Sequence, residues 1–219
     1  MKNDRTKINS PPFFSVIIAT YNRKNLIERA LNSLVSQTEK DWEAIIVDDG
    51  STDDTHSRIL PYLESYPDIK YLKQPHKGEA LSKNSGIWSA EGVYITFLDS
   101  DDEYSPIHLE TRKTILLQNP SVRFLYGGAK VLGNQYVPDR FDPKRKINLK
   151  ESIIGGTFFV ERNTLMSLNG FRDILLGSDS DLFDRVKKAN VNIMEVQQPT
   201  YIYHHETTDS ITNRMLLHL

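Results

Sequence analysis

The sequence Phe13-Phe-Ser-Val-Ile-Ile-Ala19 decides the fold, because it is a continuous apolar and β-branched run that directly follows two prolines. Such a run is typical of a strand buried on both faces of a sheet, since a strand with one solvent face would alternate apolar and polar residues. Apolar residues at helical spacing follow at 26–35, and a second apolar run follows at 42–47. This succession predicts two parallel strands joined by a crossover helix.

The alternation of helices and strands continues over the next fifty residues. We expect a helix at 53–66, a strand at 69–73, a helix at 78–90 and a strand at 93–98. Four strands alternating with helices predict an α/β fold with a mainly parallel central sheet flanked by helices.

Polar clusters follow the first, second and fourth predicted strands, at residues 20–23, 48–54 and 99–102. Open α/β sheets bind their ligands beyond the carboxyl ends of the strands. The sequence therefore predicts a ligand site where these three clusters meet.

Beyond residue 106 the pattern is less regular. It predicts a helix to about residue 118, strands at 122–126 and 129–137, and a smaller second sheet. Residues 138–150 contain five Lys and Arg residues and little apolar content, which indicates a mobile basic loop.

The composition excludes several classes of function. Twenty-seven basic and twenty-nine acidic side chains give a net charge of −2, so no overall field favours nucleic acid. The absence of cysteine excludes disulfides, thiolate metal sites and thiol nucleophiles, and it fits a reducing compartment. No apolar run approaches the roughly 20 residues that a membrane-spanning helix requires. We therefore expect a cytoplasmic protein, with at most peripheral contact to the inner face of the cell membrane.

Three ordered motifs carry a family resemblance: Val16-Ile-Ile-Ala-Thr-Tyr-Asn-Arg23, Ile45-Ile-Val-Asp-Asp-Gly-Ser-Thr-Asp53 and Phe97-Leu-Asp-Ser-Asp-Asp102. Together they resemble glycosyltransferase family 2, whose members have the GT-A fold, and the resemblance runs from about residue 14 to residue 212. It implies an inverting transfer of one sugar from a nucleoside-diphosphate sugar, with UDP as the first expectation, to an acceptor hydroxyl. The expected cofactor is Mn or Mg.

The resemblance also implies an acceptor and a division of the chain. The acceptor is expected to be a saccharide or a lipid-linked saccharide in bacterial surface polysaccharide or glycoconjugate synthesis. We expect a frayed tail at 1–12 and a single domain at 13–219, with a nucleotide-sugar half at 13–105 and an acceptor-side half at 106–219. Oligomerisation is left open.

Asp99-Ser100-Asp101 places two carboxylates one residue apart at a strand end. A hard divalent cation can be held there while several of its coordination positions stay open for diphosphate oxygens. The alternative is an acidic turn in which Asp102 caps the next helix. By resemblance, Asp99 contacts the ribose or metal-bound water, Asp101 ligates the metal, and both Asp99 and Ser100 belong to the donor site.

Other donor contacts follow from the resemblance. The turn after the first strand contacts the base, Asp49 contacts uracil, and Lys83 reaches toward the nucleotide. Alternatively, Asp49 belongs to an ordinary turn, Tyr21 covers the sheet edge, and Lys83 is a solvated helix residue. The expected donor-binding residues, besides Asp99 and Ser100, are Thr20, Tyr21, Asn22, Arg23, Asp49, Gly50, Ser51 and Lys83.

The expected catalytic base is Asp179. Family members have Gly-Glu-Asp at this place, whereas this chain has Gly177-Ser-Asp179, which leaves Asp181 as a rival. In a helix that begins near Ser178 the two aspartates lie about 200° apart around the axis. Asp179 shares the predicted buried stripe of Leu182, whereas both carboxylates could instead only complement the helix dipole.

Tyr203-His-His-Glu206, followed by Ser210, resembles the late segment that closes over the donor in the family. A neutral imidazole can add a metal ligand, and adjacent residues of a strand point to opposite faces. At most one histidine is therefore expected in the site, and His205 is preferred to His204.

Two other classes of function, and one other kind of enzyme within the family, remain to be weighed. A sugar-1-phosphate nucleotidylyltransferase would have a glycine-rich phosphate loop after the first strand, and residues 19–23 contain no glycine. A weakly catalytic nucleotide-sugar-binding module would show no metal-dependent release of nucleoside diphosphate. A processive synthase would have membrane helices and a Gln-x-x-Arg-Trp motif, and neither is in the sequence.

Overall fold

The computed structural model describes residues 10–142, 144–174 and 176–206. Most of the predicted tail at 1–12, and Ser210 with the end of the family resemblance, lie outside the described residues. Within these ranges no helix has the length and apolar character needed to cross a membrane.

Twelve strands and six α-helices form in the described residues. In chain order the strands are β1 (Phe14–Thr20), β2 (Trp42–Asp48), β3 (Ile69–Lys73), β4 (Tyr94–Phe97), β5 (Glu103–Tyr104), β6 (Phe124–Tyr126), β7 (Ala129–Gly133), β8 (Tyr136–Pro138), β9 (Lys146–Asn148), β10 (Phe159–Glu161), β11 (Ile193–Glu195) and β12 (Tyr201–His205). The helices are α1 (Ile27–Val35), α2 (Thr55–Ser65), α3 (Glu79–Ser89), α4 (His108–Gln118), α5 (Arg162–Ser167) and α6 (Ser178–Lys188).

The central sheet has seven strands in the order β11-β6-β10-β4-β1-β2-β3. Strands β4, β1, β2 and β3 are parallel neighbours, which confirms the predicted α/β alternation. Strand β10 is antiparallel to both β4 and β6 and joins the two halves of the sheet. The carboxyl ends of β1, β2 and β4 consequently lie at one edge.

Strand β1 is buried on both faces, as its unbroken apolar sequence predicts. Val16 and Ile18 pack with Leu31 of α1 in one core cluster. Ile17 packs in a second cluster with Ile87 of α3, and the same cluster contains Leu182, Phe183 and Val186 of α6. Gly86 of α3 lies so close to Ile17 that a Cβ would overlap this side chain.

The acceptor-side region differs from the expectation in two places. The single strand expected at 129–137 is divided into β7 and β8, because β7 ends at Gly133, which takes a positive φ of 86°. The basic loop expected at 138–150 contains β9, which pairs antiparallel with β8. Val137 and Ile147 lie opposite each other in this hairpin and both line the central cleft, which explains why the segment is ordered into strands. Strand β12 lies between β5 and β7 in a three-stranded sheet.

Candidate active site

A cleft of about 900 Å³ lies at the carboxyl ends of β1, β2 and β4. It extends to the amino end of α6 and to the β8–β9 hairpin. The cleft brings together eight of the residues expected in the site: Thr20, Tyr21, Arg23, Asp49, Asp99, Ser100, Asp101 and Asp179.

Asn22, Gly50 and Ser51 do not line the cleft and instead shape its wall. The Asn22 side-chain oxygen accepts hydrogen bonds from the amides of Thr52 and Asp53, at 2.9 and 3.3 Å. The Asn22 amide donates to Ser51 Oγ at 2.9 Å. These bonds tie the turn after β1 to the turn after β2, with Asn22 and Gly50 both at positive φ.

Lys83 is buried behind the cleft and pairs with two carboxylates. Its Nζ lies 3.1 Å from Asp99 Oδ1 and 2.6 Å from Glu79 Oε1. Burial alone would lower the pKa of Lys83, but the charges of Asp99, Glu79 and Asp179 hold that pKa well above its ordinary value. Lys83 is thus a cation that fixes Asp99, rather than a solvated helix residue.

Asp99 and Asp101 form an acidic pair at the end of β4. Burial, together with the negative charge of Asp99, raises the pKa of the Asp101 carboxyl. Arg23 opposes this shift, and its buried Nη1 makes no hydrogen bond within the described ranges. Arg29 donates to the backbone carbonyl of Asp101.

Asp102 has a structural role. Its carboxylate accepts hydrogen bonds from the Tyr201 hydroxyl at 2.6 Å and from the His204 amide at 2.7 Å. Helix α4 begins at His108 without a side-chain cap, so Asp102 is not the helix cap considered from the sequence. Instead, Asp102 fastens β12 beside the end of β4.

Asp179 lies in the first turn of α6 with one oxygen held and the other free. Its Oδ2 accepts a hydrogen bond from the Gly155 amide at 3.1 Å. Its Oδ1 is buried and has no hydrogen-bond partner among the residues that the structure describes. Burial raises the pKa of Asp179 to about 6; the charge of Lys83 opposes this shift, and the charges of Glu79 and Asp99 add to it. Such a carboxylate is suited to accept a proton near neutral pH.

Asp181 lies outside the cleft and is held by two arginines. Its Oδ1 lies 3.2 Å from Arg172 Nη1, and its Oδ2 lies 2.8 Å from Arg185 Nε. These pairs engage both oxygens of Asp181, whereas Asp179 keeps one free. The geometry therefore favours Asp179 as the base.

The two histidines of β12 are placed differently from our preference. His205 is buried, its Nδ1 lies 2.7 Å from the Asn134 carbonyl, and it does not line the cleft. His204 lines the cleft, with Nε2 3.1 Å from Glu103 Oε1 and Nδ1 3.2 Å from Glu206 Oε1. Of the two histidines, His204 is the one that lines the cleft, so the structure does not support His205 as a metal ligand.

The fit of a divalent cation depends on Asp99 and Asp101. Among the described ranges no group of three or more His, Asp or Glu side chains is arranged to hold a metal ion alone. The raised pKa of Asp101 shows that the negative charge of Asp99 disfavours a second ionised carboxylate beside it. A hard cation bound to the pair would neutralise this charge. The pair could supply two carboxylate ligands to a hard cation, and the other ligands would have to come from elsewhere.

Gly155 was not identified from the sequence as a site residue. Its amide holds Asp179, and a Cβ at this position would overlap the Asp179 carboxyl group. At the next residue, Gly156, a Cβ would overlap the ring and hydroxyl of Tyr201. The glycine doublet was visible in the sequence, but only the packing gives the reason for it.

Gly155→Ala is therefore expected to displace the Asp179 carboxylate and lower kcat by roughly 100-fold, because small misplacements of a reacting group are costly. Ser152→Ala, in the same cleft-lining segment, is the control and should retain turnover. Steady-state kinetics with thermal unfolding would test this. Wild-type kcat in a folded Gly155→Ala protein would contradict the positioning role.

Comparison with known proteins agrees with this geometry. The sequence profile described as "Glycosyl transferase family 2" matches residues 15–169. The chain therefore belongs to glycosyltransferase family 2.

Two curated relatives are named for glucosyl transfer. The chain is 32% identical over 158 residues to UDP-Glc:alpha-D-GlcNAc-diphosphoundecaprenol beta-1,3-glucosyltransferase WfgD of Escherichia coli, covering 70% of this chain and 61% of that protein. It is 30% identical over 214 residues to GalNAc(5)-diNAcBac-PP-undecaprenol beta-1,3-glucosyltransferase of Campylobacter jejuni, covering 92% of this chain and 67% of that protein. The chain thus spans about two thirds of the length of these relatives.

Solved structures share the GT-A fold. S. aureus TarS 1-349 in complex with UDP-GlcNAc matches with a TM-score of 0.71 and 25% identity, over 89% of this chain and 59% of TarS 1-349. Mannosyltransferase PcManGT from Pyrobaculum calidifontis, in complex with GDP-Man and Mn2+, matches with a TM-score of 0.70 and 20% identity, over 94% of this chain and 60% of that chain.

Proposed function

We propose that this glycosyltransferase moves a single hexosyl residue, with inversion, from a UDP-sugar to a hydroxyl of a saccharide or lipid-linked saccharide. The setting is bacterial surface polysaccharide or glycoconjugate synthesis. The observation that carries the proposal is the Asp179 carboxylate, which has a buried free oxygen and a pKa of about 6 in the same cleft as Asp99 and Asp101.

The chemistry of inversion assigns Asp179 its role. The acceptor oxygen attacks the anomeric carbon while the bond from that carbon to the diphosphate oxygen breaks. The hydroxyl proton passes to Asp179 Oδ1, since Oδ2 already accepts the Gly155 amide hydrogen. Above pH 6 the carboxylate is mostly ionised and ready to accept this proton.

The donor diphosphate is assigned to the acidic pair at the end of β4. Asp99 and Asp101 would hold Mn or Mg, which when bound stabilises the departing diphosphate as a Lewis acid. Lys83 keeps Asp99 in place. The buried Arg23 adds a positive charge beside Asp101. Thr20, Tyr21 and Asp49 form the wall assigned to the uridine.

The relatives support the donor and acceptor classes. The Escherichia coli relative is named as using UDP-Glc and a diphosphoundecaprenol-linked sugar. TarS has been solved with UDP and with UDP-GlcNAc. The mannosyltransferase complex contains GDP-Man, so a GDP-sugar belongs in any donor screen.

Release of nucleoside diphosphate from UDP-Glc, UDP-GlcNAc and GDP-Man, measured with Mn2+ and with excess chelator, tests the proposal. We expect release from a UDP-sugar that stops in chelator. A nucleotide-sugar-binding module would bind donor without metal-dependent release, and a nucleotidylyltransferase would form pyrophosphate from UTP and a sugar phosphate. Either of those results would overturn the assignment.

The acceptor is assigned to the β8–β9 side of the cleft. Phe141 is 82% exposed and Ile174 is 42% exposed, and both line the cleft. Arg140 lies over the Phe141 ring, 4.4 Å from its centroid, and pairs with Asp184. Apolar and cationic groups together suit a lipid-linked anionic acceptor at the inner face of the cell membrane. We assign residues 13–105 to the donor and 106–219 to the acceptor within one domain.

Replacing Lys144, Arg145 and Lys146 together by Gln is expected to weaken use of a pyrophosphate-linked acceptor and to flatten its salt dependence, because exposed charges act through a screened field. The matched control replaces three exposed cations elsewhere, Lys40, Arg58 and Lys188. Initial rates between roughly 50 and 500 mM NaCl, over which the Debye length falls about threefold, provide the measurement. An unchanged salt dependence would show that the segment only connects its neighbouring elements and does not contact the acceptor.

A further inference from the structure

His76 lies against the two residues assigned to the nucleobase. Its ring stacks on Tyr21 with centroids 4.0 Å apart and an interplanar angle of 23°. Its Nδ1 lies 2.7 Å from Asp49 Oδ2. All three residues line the cleft. The family resemblance gave His76 no role, and the reaction proposed above does not use it.

The Asp49 carboxylate has no acceptor position left for a base. Its Oδ1 accepts hydrogen bonds from Gln74 Nε2 at 2.8 Å and from the Lys77 amide at 2.9 Å. Its Oδ2 accepts from the Gly78 amide at 2.8 Å and faces His76 Nδ1. A carboxylate offers about four lone-pair positions, so these four partners fill it. A base N–H can reach Asp49 only if one partner leaves.

Three of the four partners are fixed by other bonds or by the backbone. Gln74 is held on both sides, since its Nε2 donates to Ser82 Oγ at 3.0 Å and its Oε1 accepts from Ser85 Oγ at 2.7 Å. The Lys77 and Gly78 amides belong to the main chain at the start of α3. The His76 side chain is 55% exposed and can rotate away into solvent. It is therefore the partner that leaves most readily.

The same side chain covers the stacking surface. Ring centroids 4.0 Å apart leave no room for a third ring between Tyr21 and His76. A uracil ring presents an N–H donor and a flat π-face, and these are the two features that His76 now offers to Asp49 and Tyr21. One rotation of His76 would free both surfaces together.

We propose that His76 occupies the nucleobase position of the unliganded enzyme, and that a uridine nucleotide binds by displacing it from Asp49 and Tyr21. This inference rests on the proposed function, which places the uridine at these two residues. Breaking the contacts of His76 opposes binding, so the side chain lowers the apparent affinity for the nucleotide.

Calorimetric titration of UDP in Mn2+ tests the displacement with His76→Ala and a second truncation, His76→Ser. Both are expected to bind UDP roughly threefold to tenfold more tightly than wild type, the range for one lost competing hydrogen bond. Pyrophosphate, which has no base, should bind equally to all three proteins. The control His56→Ala removes another exposed imidazole, one that does not line the cleft, so it should match wild type.

The outcomes separate this inference from the function on which it rests. Unchanged or weaker UDP binding in the folded His76 variants would overturn the displacement, and weaker binding would make His76 a stacking partner of the bound base. If UDP bound no more tightly than pyrophosphate to any of the proteins, the uridine site itself would be wrong and the inference would fall with it.

Discussion

Asp179→Asn is expected to lower kcat by about 100-fold or more while leaving donor affinity nearly unchanged, because asparagine keeps the shape of the side chain but cannot accept the proton. In the wild-type enzyme kcat/KM should rise with pH through the Asp179 pKa of about 6 and level off above it. Steady-state kinetics from about pH 5 to about pH 8 give both the kcat of the variant and the pH dependence of kcat/KM in the wild type.

The same substitution is expected to stabilise the fold at pH 8. The pKa of Asp179 is about 6 in the folded protein, above its ordinary value of 3.8, so folding favours the protonated form. The stability from this group is fully present below about pH 3.8 and is lost as pH rises through 6. The ionised carboxylate then costs on the order of 3 kcal/mol, which asparagine avoids at every pH.

Thermal unfolding of wild type and Asp179→Asn at pH 8 and at pH 4 tests the direction of this stability change. The variant should unfold at the higher temperature at pH 8, and the difference should shrink at pH 4. The control Asp181→Asn removes a carboxylate engaged by Arg172 and Arg185 and should retain most of the turnover. A larger loss of turnover in Asp181→Asn, with donor binding preserved in both, would reverse the assignment of the base.

Asp101→Ala is expected to abolish turnover and metal-dependent donor binding together. In the proposed mechanism Asp99 and Asp101 would hold the cation that stabilises the departing diphosphate. Removal of Asp101 would leave Asp99 as the one carboxylate of this pair to hold it. Excess chelator should reproduce the effect in the wild-type enzyme.

The measurement is UDP affinity with Mn2+ and with EDTA, alongside turnover. Wild type should bind UDP more tightly with Mn2+, and Asp101→Ala should show no difference between the two conditions. Asp173→Ala is the control, because Asp173 is an exposed carboxylate that lines the same cleft but does not belong to the acidic pair. Full turnover in excess chelator would exclude the metal assignment.

The first half of the fold could be predicted because its signals are local. Strand β1 and its neighbours are long apolar runs, and the helices between them have apolar residues at regular spacing. Strand β10 has only three residues, too few for any periodicity, and its place between β4 and β6 depends on pairing with residues far away in sequence. Such pairing cannot be recognised from a local pattern.

The sequence predicts which site residues lie at the strand ends. It does not predict which partner each polar side chain binds. The sequence places Asp49 beside a ligand, yet the four partners of its carboxylate come from residues 74–78, which lie 25 to 29 positions away. Similarly, the resemblance suggests that Lys83 reaches the nucleotide, whereas its burial directs it to Asp99. Competition among neighbours decides these contacts.

The place of β10 in the sheet has an evolutionary consequence. Gly155 begins the short turn that leads into β10, and β10 pairs directly with β4, which ends just before Asp99. Backbone pairing thus sets the spacing between Gly155, whose amide holds Asp179, and the acidic pair. The β8–β9 hairpin leaves this framework after β7 and returns before Gly155. If the hairpin contacts the acceptor as proposed, insertions, deletions or exchanges in it would change acceptor preference while the spacing between Asp179 and the acidic pair is retained.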